Sequence, residues 1–145
     1  MDSRDPRLWL EQARHDEDSA KLIRAHDGHA DVGIYLLHQA AEKLLKALML
    51  KKDCAVIRTH LLDSLYTNLI HSCPGLESIA RELVGLDAYL PRLRYPSGDF
   101  LTMQDFDLCL GWFDTIKVVV TTNFEDDLPA DSSPDTPRTT PRSSS

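Results

Sequence analysis

The chain is poor in the signatures that would place it quickly. Its three cysteines, Cys54, Cys73 and Cys109, are odd in number, far apart and without a Cys-x-x-Cys pair. A zinc ribbon or a dithiol redox centre is therefore not indicated, and reduced, partly buried thiols are expected. No stretch approaches the ~18 consecutive apolar residues that a membrane span requires. There is no Gly-rich phosphate loop, no Ser-His-Asp set and no His-Glu-x-x-His spacing, so no metal or cofactor is expected. Basic residues are in the minority, 16 Lys and Arg against 23 Asp and Glu, for a net charge of −7. Sequence-blind adhesion to nucleic acid, which Lys and Arg drive by neutralising phosphates, does not fit that balance, although a local basic cleft does. The opening Met-Asp-Ser-Arg-Asp-Pro carries acid and no apolar run, which does not read as a secretory signal and predicts a cytoplasmic protein.

What is present is helical periodicity. A length of 145 residues suits one domain around one core. Asp5-Pro6 supplies an N-cap and a proline at the first helical position, and Trp9, Ala13, Asp16, Ala20 and Ile23 follow at helical spacing until Asp27-Gly28 turns the chain. After so short a connection, a second helix over roughly 30–52 should run back antiparallel. The period vanishes over 51–59. Thr59 is then placed to cap a third helix through Leu62, Leu65, Leu69 and Ile70, which Pro74-Gly75 ends. A fourth, on Leu76, Ile79, Ala80, Leu83 and Leu86, is predicted to stop at Pro91, leaving residues 91–99 as a loop that carries Arg92, Arg94 and Tyr95.

Thr102-x-x-Asp105 has the form of a capping box with Asp in place of Glu, and it opens a last helix with Phe106, Leu110, Phe113, Ile116 and Val120 on one side. Residues 117–122 are β-branched enough for a strand, but the preceding period and the lack of a pairing strand favour helix. Trp112, beside the Phe106 and Phe113 stripe, either joins the core or offers apolar surface for a symmetric partner. Beyond Phe124 the Pro, Ser, Thr and Asp content leaves too little to bury. The expected division is therefore a domain over 1–124 and a disordered tail over 125–145.

The densest information lies in His38-Gln39-Ala40-Ala41-Glu42-Lys43-Leu44-Leu45-Lys46-Ala47. At about 100° per residue, Leu37, Ala41, Leu44, Leu45 and Leu48 share one side of a helix, and Gln39, Glu42, Lys43 and Lys46 share the opposite arc. The polar arc is either a solvated face with a favourable Glu42–Lys46 pair or a site. Asp16 adds to the second possibility, since it interrupts a stripe that should face the core. A buried carboxylate needs a partner, and Arg94, His60 and Gln39 are candidates. The six histidines, His15, His26, His29, His38, His60 and His71, are scattered. His15, His26 and His29 are expected in solvent, His38 beside the core stripe, and His60 near the start of the third helix.

This stretch, with Thr59-His60-Leu61-Leu62 and the later Arg94-Tyr95-Pro96, resembles the HEPN family of small helical domains over roughly residues 6–124. The resemblance implies a cleft for nucleotide or RNA built from polar residues of the second helix. It also implies a homodimer, and often a separately encoded minimal nucleotidyltransferase as partner. Active HEPN ribonucleases carry an Arg-x4-6-His motif near the last helix and cut RNA without metal. Here neither Arg92 nor Arg94 is followed by a histidine, the last being His71. The spacing Arg24-Ala-His-Asp-Gly-His29 spans the turn at Gly28 and reads as coincidence.

The sequence thus predicts an all-α, up-and-down bundle of about five helices. The function it predicts is a non-catalytic HEPN-like protein in which Asp16, Gln39, Glu42, Lys46, His60 and Arg94 converge on one cleft for a phosphate-bearing ligand. On this reading Lys46 and Arg94 meet the anion, and Lys43 lies nearer the solvent edge. The chain lacks the Gly-Ser and paired-Asp motif of a nucleotidyltransferase, so any such transfer belongs to another protein of a toxin–antitoxin-like pair. The alternatives are an endoribonuclease toxin that uses Arg94 and His60, and a dimeric interaction module without ligand.

Overall fold

The computed structural model describes residues 3–94 and 100–125, the side chain of Arg94 excepted. Among the described residues there are five α helices and no strand: α1 (Pro6–Ala25), α2 (Ala30–Lys51), α3 (Leu62–Leu69), α4 (Ala80–Arg94) and α5 (Met103–Glu125), with a 3₁₀ turn, Leu76–Ile79, leading into α4. The β-branched stretch 117–122 is therefore helical. Tyr95 and the expected tail beyond Glu125 lie outside the described residues.

Contacts between helices fix their directions. Asp16 meets Gln39 and Lys43, while Lys46 lies over the Trp9 ring, so α1 and α2 are antiparallel. Phe106 packs on Gly33 and Lys51 lies over the Phe124 ring, so α5 runs parallel to α2. Tyr89 reaches Asp105 and Trp112 packs on Gly85, so α4 is antiparallel to α5. The four long helices therefore alternate up and down, and the short α3 sits in the connection between α2 and α4. α2 is the central element. Its Ile34, Leu37, Ala40, Ala41, Leu45 and Leu48 are wholly buried, and they meet Leu62, Leu65, Leu83, Leu86, Phe106, Phe113 and Ile116 in one core.

Several ends form as their chemistry dictates. The Asp5 carboxylate accepts the Arg7 N–H at 3.0 Å. Asp27 takes a left-handed φ of 54°, and the Gly28 N–H returns to the Ile23 carbonyl at 2.8 Å. In the capping box, Thr102 Oγ1 accepts the Asp105 N–H at 3.1 Å, and the Asp105 carboxylate accepts the Thr102 N–H at 2.8 Å.

Three local expectations are corrected, and for Trp112 one of two alternatives is realised. Pro91 does not stop α4, which continues through it to Arg94. Its fixed φ is itself helical, and the missing N–H removes a single bond near the end of the helix. Thr59 does not cap α3. Its hydroxyl accepts the Leu61 N–H at 3.1 Å and shapes the turn before the helix, whereas the first α3 amides, Leu62 and Asp63, both donate to Asp87 of α4 at 2.9 Å. Trp112 is partly buried against Gly85 and tilted on Tyr89 at 6.3 Å, so α4 uses its ring. On α1 the acid facing inward is Glu17, with a side chain 7% exposed, where it accepts from Lys21 and Lys117 at 2.7 Å each. Asp16 lies one residue round the helix, at 14%.

Candidate functional site

α2 carries the site, because its polar arc meets α1 on one flank and, on the other, the segment that leads into α3 together with α4. On the α1 flank, Asp16 accepts from Lys43 Nζ at 2.8 Å and from Gln39 Nε2 at 3.2 Å. One turn along α2, Glu42 accepts from Lys46 Nζ at 2.8 Å, and His60 Nδ1 stands 3.2 and 3.4 Å from its two oxygens. The segment between α2 and α3 thus brings His60 beside the middle of α2. A cleft of about 290 Å³ opens there, lined by Tyr35, His38, Gln39, Glu42, His60 and Leu90.

Asp87 is the hinge of this arrangement. It caps α3, as described above, and its Oδ1 lies 2.8 Å from Nε2 of His38, whose side chain is 3% exposed. Burial pushes the Asp87 carboxyl upward. The His38 ring and the two backbone N–H groups outweigh that and hold it below its ordinary value. An ionised carboxylate only accepts, so His38 Nε2 carries a hydrogen toward Asp87. One carboxylate therefore fixes a helix end, a ring orientation and the back of the cleft.

Of the residues that the sequence selects, Gln39, Glu42 and His60 line the cleft, and Asp16 and Lys46 hold two of these from behind. The side chain of Arg94 lies outside the described residues. Lys43 is the cation of Asp16 and, at 19% exposed against 11% for Lys46, the nearer of the two lysines to solvent. Of the partners expected for Asp16, Gln39 reaches it, while His60 turns to Glu42. Sequence reasoning misses Tyr35, His38, Asp87 and Leu90. His38 and Tyr35 could be found by extending the polar arc one turn toward the start of α2, whereas nothing near Asp87 in sequence signals its role. The spacing match of Arg24 and His29 is spent elsewhere, since Arg24 pairs with Asp107 at 2.7 and 3.1 Å. Among the described residues no group of three or more His, Cys, Asp or Glu could hold a metal ion, and no helix is long and apolar enough to cross a membrane.

Fold and site together define a small helical-bundle domain with a polar cleft along its central helix. The HEPN domain pattern matches residues 6–119, and the chain belongs to the HEPN-domain family. It is similar to the crystal structure of TT1696 from Thermus thermophilus, with a TM-score of 0.73 at 26% identity over 83% of this chain and 99% of that one. It also shares its fold with ST0689, an archaeal HEPN homologue, with a TM-score of 0.66 at 23% identity over 82% and 97% of the two chains. No curated protein matches the chain significantly.

Proposed function

We propose that the chain is a non-catalytic HEPN-domain protein whose cleft binds a nucleotide or a short stretch of RNA. We propose further that it acts as a homodimer beside a separately encoded nucleotidyltransferase, in a pairing of toxin–antitoxin type. The observation that carries the reading is the lining of the cleft. A half-exposed Tyr35 ring and Leu90 provide apolar walls around a few convergent polar groups, Gln39, Glu42 and the two imidazoles. Aromatic faces and edge-directed polar groups are how unpaired bases are held. In this reading Asp16 and Lys46 orient Gln39 and Glu42 from behind. Phosphate falls to the rim, at His60, whose side chain is 69% exposed, and Arg94, which the sequence supplies, is the cation proposed to meet it.

The absence of catalysis rests on the sequence, in which no histidine follows Arg92 or Arg94. Binding of a labelled RNA hexamer at low salt, followed by gel analysis of the same RNA, tests the proposal. Tyr35→Ala and Arg94→Ala are each expected to weaken binding about tenfold, with the RNA intact. RNA cut to 2′,3′-cyclic phosphate ends, with cutting lost in Arg94→Ala or His60→Ala, establishes the ribonuclease instead. A chain that dimerises and binds nothing is an interaction module.

A further inference from the structure

Three carboxylates surround the cleft, and each takes the donor end of a residue that lines it. Asp16 accepts the Gln39 amide N–H, which turns the amide oxygen the other way. Asp87 accepts from His38 Nε2, and Glu42 from His60 Nδ1. The two lysines on this arc are spent in the same manner, Lys43 on Asp16 and Lys46 on Glu42, and among the described residues that line the cleft there is no Lys or Arg. The acceptors that remain for a ligand are the Gln39 oxygen and the lone pairs of Glu42 not used by Lys46 and His60, beside the Tyr35 hydroxyl, which can donate or accept. With a carboxylate and no Lys or Arg among its described lining residues, the interior of the cleft gives a phosphate little compensation for lost water.

We infer that the cleft selects a nucleobase bearing an exocyclic amino group, stacked on Tyr35 with its amino edge toward Gln39 and Glu42, and that the phosphate stays outside. This deepens the nucleotide-binding reading and rests on it. Geometry supports a base over a small cation, because a planar ring can use the exposed Tyr35 face and the Leu90 wall together with the acceptors. A cleft that only collected positive charge would have no use for either wall.

The test is a calorimetric titration of the full chain with purine riboside monophosphate, AMP and diaminopurine riboside monophosphate, which carry no, one and two amino groups on one purine frame. Affinity should rise along the series, AMP exceeding purine riboside monophosphate by about tenfold, as expected when a donor meets acceptors that are otherwise left unpaired. Glu42→Gln, which replaces an acceptor pair with a mixed amide, should flatten the series. Equal affinity for all three nucleotides overturns this inference and leaves nucleotide binding standing. No binding of any of them overturns both. Displacement of bound AMP by spermidine, with no preference among the three, makes the cleft a cation site and overturns the inference as well.

Discussion

At the scale of the residue, Asp87 does more than any other side chain to hold the site. Its carboxylate serves the buried His38 ring and two helix-end amides at once. Asp87→Ala would leave the imidazole and both amides without their acceptor. Removing one member of a buried pair and a cap together should cost about 3 kcal/mol in chemical denaturation. The same residue sets an acid limit. Because its folded pKa is held below the ordinary carboxylate value of 3.8, its contribution is fully present above that value and fades as pH falls through the lower folded one. A denaturation series below pH 4 should therefore lose stability in the wild type more steeply than in Asp87→Ala. Parallel slopes would show that Asp87 is not ionised and paired as described. None of this is legible in the sequence, where 49 positions separate His38 from Asp87. Glu42–Lys46 is legible, since helical spacing alone makes that pair.

At the scale of the element, close packing at glycine sets how the helices meet. A Cβ added at Gly33 would lie 2.1 Å from the tip of the fully buried Phe106 ring, which has nowhere to go. Alanine favours a helix over glycine by about 1 kcal/mol, but the overpacking is larger. Gly33→Ala should lower stability by about 3 kcal/mol and separate α2 from α5. A neutral result in thermal denaturation would mean that the two helices do not approach as described. Helix identities are legible from apolar spacing because each long helix buries one continuous stripe. The ends are less so. Pro91 carries a stop signal that its position near the end of α4 does not enforce, and Thr59 looks like a local cap for α3 although the cap comes from α4. A cap supplied across a tertiary contact has no sequence signature, because the spacing rules concern neighbours along the chain.

At the scale of the molecule, the α2 arc is recognisable as a polar stripe, but the cleft exists only once His60 and Leu90 arrive from two other segments. That explains why Gln39, Glu42 and His60 stand out in the sequence while Tyr35 and Leu90, ordinary apolar positions, do not. The Pro, Ser, Thr and Asp composition beyond Phe124 predicts that a chain ending at Glu125 keeps its melting temperature within about 2 °C of the full chain. A fall of many degrees would show that the last segment packs on the bundle. The central claim, that the α2 cleft is where this protein binds nucleotide, is tested most directly by amide and side-chain chemical-shift mapping during titration with AMP. The shifts should cluster at Tyr35, His38, Gln39, Glu42, His60 and Leu90 and saturate together. Saturable shifts confined to another face, or none at millimolar AMP, would contradict it.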